Sequence, residues 1–139
     1  MKVVKLYPQS KLPFKNPDDL GYDMFAVVDD VVTIRSGEQK LVSLGVKIGF
    51  PKNFGAFLKE RSGLASKGIH ILGGVIDPSY VGEIKAIIYN SGKEDFEVQT
   101  GHKVCQMVII PNYDFIVEEV KELKNTQRGE NGFGSSGLT

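Results

Sequence analysis

Between residues 42 and 50 the chain alternates without a break: Val42, Leu44, Val46, Ile48 and Phe50 are apolar, and Ser43, Gly45, Lys47 and Gly49 fall between them. A period of two marks a strand with one buried face, because successive side chains point to opposite sides of the pleat. Shorter apolar runs recur at Val3–Leu6, Val31–Ile34, Phe54–Leu58, Ile84–Tyr89 and Val104–Ile110, each bounded by Gly, Pro or a small polar residue. Many short strands punctuated in this way predict an all-β domain. A closed barrel and a double-sheet sandwich both bury such strands, and the pattern leaves the two open.

Two segments depart from this rhythm. Ser62–Lys67 carries Leu64 and Ala65 without alternation and predicts a short helical turn. Ile116, Val120 and Leu123 are spaced by four and three among Glu118, Glu119, Lys121 and Glu122, the local pattern of an amphipathic helix. After residue 124 the chain becomes glycine-rich and poor in apolar residues, which predicts a mobile tail over 125–139 behind a β-domain of 1–124.

Composition narrows the function classes. At 139 residues and 41% apolar content the chain suits one compact domain. Its 17 basic and 17 acidic residues cancel, with no basic run or stripe, so a grip on nucleic acid is not expected. No apolar run approaches the roughly 20 residues of a membrane span and no signal-like segment opens the chain, so no membrane partner and an intracellular, cytoplasmic location are expected. One cysteine, Cys105, and two histidines, His70 and His102, make neither a disulfide framework nor a zinc set.

Candidate chemistry sits in the loops. Gly132-Phe133-Gly134-Ser135-Ser136-Gly137 matches the dinucleotide fingerprint in letters, yet it ends the chain with no helix to follow. Dense glycine still lets backbone N–H groups wrap a phosphate, the plain alternative being a flexible end. Only three of the 17 basic residues are arginine, and two of them, Arg61 and Arg128, lie among Gly and Ser, where a planar fork suits phosphate oxygens. Arg61-Ser62-Gly63 enters the predicted helical turn and reads either as a phosphate site or as a salt bridge with Ser62 capping the helix. In Gly73–Gly82 the apolar pair Val75 and Ile76 leads into Asp77 and a Pro-Ser turn, resembling a hairpin with an acid at its shoulder. Partial desolvation there would suit Asp77 to deprotonate a water; otherwise it is a turn residue. Tyr80 reads equally as a rim aromatic, and Gln106 as a satisfied buried amide.

Taken in order, these segments resemble the five recurring motifs of the homotrimeric dUTPase family: Gly21–Ala26, Arg61–Ala65, Gly74–Gly82, Gly101–Gln106 and Arg128–Gly137. The resemblance implies a distorted jelly-roll β-barrel with one short helix, assembled as a homotrimer with shared active sites, the C-terminal tail closing over a neighbour's site. It also implies strand and extended chain at 116–123 in place of the helix. The implied activity is dUTP diphosphatase: dUTP is cut to dUMP and pyrophosphate, limiting uracil in DNA and supplying dUMP for dTMP synthesis.

Residue roles implied by the resemblance follow. Asp77 would deprotonate the water that attacks the α-phosphorus. Arg61, Ser62, Gly63 and Gln106 would hold the α- and β-phosphates, and Arg128, Ser135 and Ser136 the γ-phosphate. Backbone groups from Gly74, Val75 and Ile76 to Lys85 would read the uracil edge, Tyr80 would pack under the deoxyribose, and Phe133, followed by Gly134, would stack on the base. Asp23 would support the site, and Mg²⁺ would be carried by the triphosphate and its waters with no direct protein ligand. Glu60, Ser79, Asn131 and His102 depart from the residues usual in the motifs, Glu60 by placing a carboxylate where proline is frequent. The related dCTP deaminases carry a catalytic Glu three residues before an Asn-Ser-Gly run; here that position is Ile87, which cannot shuttle a proton. A nucleotide sensor built on the same fold is the rival from another class.

Overall fold

The computed structural model describes residues 1–127 and 129. Among them the chain forms ten strands and one short helix: β1 (Lys2–Lys5), β2 (Gly21–Phe25), β3 (Val32–Ile34), β4 (Gln39–Gly49), β5 (Phe54–Lys59), α1 (Ser62–Ala65), β6 (Ile69–Leu72), β7 (Val75–Ile76), β8 (Glu83–Asn90), β9 (Phe96–Val98) and β10 (Lys103–Pro111). One sheet runs β1-β4-β8-β6 and the other β2-β10-β5-β7, with β3 and β9 as a separate pair. Every pairing is antiparallel. The six apolar runs of the sequence all fall on strands, while β2, β6, β7 and β9 lie outside them.

Alternation explains the core. In β4 the side chains of Val42, Leu44, Val46 and Ile48 are each 1% exposed, and β8 turns Ile84, Ala86 and Ile88 to the same interior. From the other sheet, Met24 of β2, Leu58 of β5 and Met107 of β10 join that cluster. Two sheets around one core make the distorted jelly roll. Each fully buried large aliphatic side chain contributes about 1.5–3 kcal/mol.

Asn90, at the end of β8, is the one large polar side chain in this interior among the described residues. Its Nδ2 donates to the carbonyls of Ile34 (2.9 Å) and Glu94 (2.8 Å), and its Oδ1 accepts from the Gly92 N–H (2.9 Å). The amide thereby ties β3 and the β8–β9 loop to the main sheet.

Two expectations need correction. The stretch 116–123 is neither helix nor strand: no regular element is present from 112 to 127, and Ile116 and Val117 are 97% and 96% exposed. An extended segment becomes a strand only against a partner ladder, and among the described residues none pairs with it. Nor do the arms either side of Asp77 form a hydrogen-bonded hairpin. β7 pairs with β5, Ala56 opposite Ile76, whereas β8 pairs with β4 and β6 in the other sheet. No helix among the described residues is long and apolar enough to cross a membrane.

Candidate active site

Two cavities collect the residues singled out in the sequence. The first, of ≈ 450 Å³, is lined by Asn16, Asp19, Leu20, Gly21, Asp23, Arg61, Ser62, Gly63, Lys103 and Gln106. β5 delivers Arg61 at its end. That residue keeps extended dihedrals (φ −81°, ψ 135°) as the N-cap of α1, and the helical hydrogen bonds start with the N–H groups of Leu64 and Ala65 on its carbonyl. The N–H groups of Ser62 and Gly63 are therefore first-turn donors without an intrahelical partner. No side chain caps the helix, so the capping alternative for Ser62 does not hold.

The salt-bridge alternative for Arg61 does hold, with Asp23. Asp23 on β2 receives two cations on separate oxygens: Arg61 Nε lies 3.0 Å from Oδ1 and Lys103 Nζ 2.7 Å from Oδ2. Arg61 Nη1 also reaches the Lys103 carbonyl at 3.4 Å. Gln106 sits opposite Asp23 across the β2–β10 ladder, and its Nε2 donates to the Glu60 carbonyl at 2.7 Å, leaving one N–H for a ligand. A side chain added at position 21 would push this amide from its place, so Gly21 leaves it room.

Glu60 does not face this cavity. Its Oε1 accepts the Ile71 N–H at 3.0 Å and its Oε2 lies 3.5 Å from Lys59 Nζ. Burial pushes its carboxyl up, but backbone hydrogen bonds and Lys59 outweigh that and hold it below its ordinary value of 4.5. Beneath the site, burial first and then the nearby Asp23 charge push the Cys105 thiol up to about 12.

The second cavity, of ≈ 330 Å³, opens between the β7 arm and β8. Gly74, Val75, Ile76, Asp77, Tyr80, Glu83 and Lys85 line it over a floor of Leu41, Leu58, Leu72, Ile84 and Ile87. Gly74 has φ +81°, and its carbonyl accepts the Leu58 N–H at 2.8 Å. Asp77 opens a turn with Pro78 at its second position, closed by the Tyr80 N–H on the Asp77 carbonyl at 3.1 Å. The Tyr80 hydroxyl donates to the Glu83 carbonyl at 2.9 Å. Glu83 accepts from Ser43 and lies 3.4 Å from Lys85. Asp77 itself is exposed, so its apolar neighbours do not supply the desolvation expected of them.

The structure thus brings Asp23, Arg61, Ser62, Gly63 and Gln106 together in one cavity and Gly74, Val75, Ile76, Asp77, Tyr80 and Lys85 in another, with no residue lining both. Arg128, Phe133, Gly134, Ser135 and Ser136 lie outside the described residues. Sequence reasoning missed Lys103, Asp19 and Glu83. Lys103 stands three residues before Gln106, an interval that a regular strand would put on opposite faces. The register of β10 on β2 slips between Lys103 and Cys105, so Val104 and Cys105 are both buried while Lys103 and Gln106 open to one cavity.

The model of the dUTPase family matches residues 9–137. A deoxyuridine 5'-triphosphate nucleotidohydrolase of Clostridium novyi (strain NT) is 46% identical, covering 98% of this chain and 97% of the relative. The dUTPase of Staphylococcus bacteriophage 80alpha, solved with dUPNHPP, superposes with a TM-score of 0.89 at 26% identity, covering 99% of this chain and 98% of that one. A mutant dUTPase from phage phi11 of S. aureus, described with a structural Mg(II) ion, shares the fold at a TM-score of 0.80 and 23% identity, covering 89% of this chain and 98% of that one.

Proposed function

We infer that this chain, which belongs to the dUTPase family, hydrolyses dUTP to dUMP and pyrophosphate. The observation that carries the reading is the division of labour between the cavities. One offers a guanidinium, paired backbone N–H groups, a hydroxyl and an amide, the donor set for phosphate oxygens. The other has an apolar floor beside the Gly74–Ile76 segment, with Asp77 on its rim, as a flat base with an adjacent reacting centre requires.

In the proposed reaction Asp77 accepts a proton from a water as the water oxygen bonds to the α-phosphorus. The bond from that phosphorus to the bridging oxygen breaks, and pyrophosphate leaves. Arg61, Ser62, Gly63 and Gln106 hold the α- and β-phosphates in line and offset charge as it develops. Backbone from Gly74, Val75 and Ile76 to Lys85 reads the uracil edge, and the space between the arms leaves no room for a thymine methyl. Tyr80, held by its bond to Glu83, packs under the deoxyribose and excludes a 2'-hydroxyl. Arg128, Ser135 and Ser136 take the γ-phosphate, and Phe133 with Gly134 covers the base when the tail of 125–139 closes over the β-domain of 1–124.

The carboxylates at hand fit a metal that arrives with the substrate. Asp23 is taken up by Arg61 and Lys103, and Glu83, the other carboxylate beside Asp77 in the second cavity, is engaged by Ser43 and Lys85. Mg²⁺, when bound through the triphosphate and water, offsets negative charge on the phosphate oxygens.

The two cavities share no residue, which supports an active site completed between copies of the chain in a homotrimer. Leu41, Ile87 and Leu72, which face one another across β4, β8 and β6, form the apolar floor on which the base would lie. An intracellular, cytoplasmic location completes the proposal. The test is pyrophosphate release from dUTP, dTTP, dCTP and UTP side by side with Mg²⁺: release from dUTP alone supports the reading, and release from dTTP at a comparable rate removes the base pocket from it.

A further inference from the structure

We propose that Lys103 is a positioning residue, which acts by keeping the Asp23–Arg61 pair one-armed. The inference rests on reading the first cavity as the phosphate site. Asp23 has two oxygens, and the structure assigns one to each cation: Oδ1 to Arg61 Nε at 3.0 Å and Oδ2 to Lys103 Nζ at 2.7 Å. Arg and carboxylate groups left to themselves form forked pairs, two parallel N–H···O bonds between guanidinium and both oxygens. Such a fork would spend two N–H donors of Arg61 on Asp23 and turn it from the cavity. With Oδ2 filled by the ammonium, Arg61 meets Asp23 through Nε alone, and the donors not used by Asp23 or by the Lys103 carbonyl stay available to phosphate.

The backbone places Lys103 for this task. Val104 and Cys105 are buried in succession where the β10–β2 register slips. In a regular strand Lys103 and Gln106 would face opposite ways; the bulge puts both on the wall that carries Asp23. Asp23 is fixed in turn by its backbone, whose N–H and carbonyl bond to Phe14. The Lys103 carbonyl also accepts from Arg61 Nη1 at 3.4 Å, so one residue steadies the guanidinium by main chain and side chain together.

A double-mutant cycle tests this, read as affinity for a non-hydrolysable α,β-imido analogue of dUTP and, in parallel, as KM for dUTP. Lys103→Met should weaken affinity by about tenfold or more, the equivalent of one lost charge-assisted contact. Lys103→Arg, which can still fill Oδ2, should recover most of it. In an Arg61→Ala background the same Lys103→Met change should matter by less than about twofold, because the residue it positions is gone. An equal loss in both backgrounds would make Lys103 an independent phosphate ligand and overturn the proposal, as would unchanged affinity in Lys103→Met. Thermal unfolding of each variant, with Lys103→Gln as a second neutral replacement, separates loss of the fold from loss of positioning. If the wild-type chain releases no pyrophosphate from dUTP, the functional reading falls and this proposal with it; a wild type that turns over beside an additive cycle sinks the positioning role alone.

Discussion

The hydroxyl of Tyr80 donates to the main-chain carbonyl of Glu83 at 2.9 Å, so the aromatic ring at the end of the turn is pinned to the strand that follows it. The ring lies against Gly82, where an added methyl would come within 2.6 Å of its Cζ. Position and tilt of the ring are thereby set before any ligand arrives.

Tyr80→Phe removes that pin and keeps the ring. An ordinary hydrogen bond contributes about 0.5–1.5 kcal/mol, and with Tyr80 45% exposed the stability change should fall at the low end. The larger effect is expected in specificity: the preference for dUTP over UTP, measured as a ratio of kcat/KM values, should narrow because a looser ring tolerates a 2'-hydroxyl. An unchanged ratio would remove Tyr80 from sugar discrimination.

Gly74→Ala should fail in fold and function together. Its φ of +81° costs an L-residue roughly 1–2 kcal/mol. The added methyl would also stand 2.8 Å from the Leu58 carbonyl oxygen, a main-chain atom that cannot swing aside. A lower urea midpoint with weakened nucleotide binding is expected, whereas Gly37→Ala, with positive φ but open space around it, should cost stability alone.

Glu60→Gln should leave KM for dUTP within about twofold of the wild type, since the carboxylate binds the Ile71 N–H and faces Lys59 and does not line the first cavity. The substitution should instead change acid sensitivity. Burial raises the Glu60 pKa, and the hydrogen bonds with Lys59 more than reverse it, so the folded value lies below the ordinary 4.5. A depressed carboxylate stabilises the fold above the unfolded value, and that contribution is lost as pH falls through the folded one. Unfolding followed from pH 6 down to pH 3 should therefore be shallower for Glu60→Gln; parallel curves would contradict the assignment.

Cys105 should resist alkylation in the folded protein at pH 8 and react once urea exposes it, because burial pushes its thiol up to about 12 from 9.0. The sign for stability follows from proton counting. Below pH 9 both states keep the proton and nothing changes; between about 9 and 12 only the unfolded chain releases it, so stability falls as pH rises. Cys105→Ala should flatten that alkaline limb of the stability profile. Rapid labelling of the native thiol at pH 8 would mean that the β2–β10 pair opens readily.

Much of this was legible in the residues, and the exceptions have physical causes. Alternation in β4 was plain because one face is buried along its whole length, and the jelly-roll arrangement follows the resemblance carried by the five motifs. The arms around Asp77 read as a hairpin since Pro, Ser and Gly signal a turn without saying which sheet receives each arm, and they go to different sheets. At 116–123 a period near 3.6 came from charges between exposed aliphatic residues, with no packing behind it. Lys103 was invisible because a bulge leaves no local mark: two buried residues in succession, Val104 and Cys105, read as ordinary apolar run. Asp23 was identified as a supporting group, but the partner on its second oxygen required coordinates.

The central claim is that Asp77, exposed on the rim of the second cavity, is the base. Asp77→Asn keeps shape and removes the proton acceptor, so single-turnover pyrophosphate release from dUTP should fall by on the order of 10²–10⁴, the usual contribution of a general base. Binding of dUTP, measured by calorimetry on the same variant, should stay within a few-fold of the wild type. Turnover that survives the substitution would contradict the account and move the base elsewhere in the site.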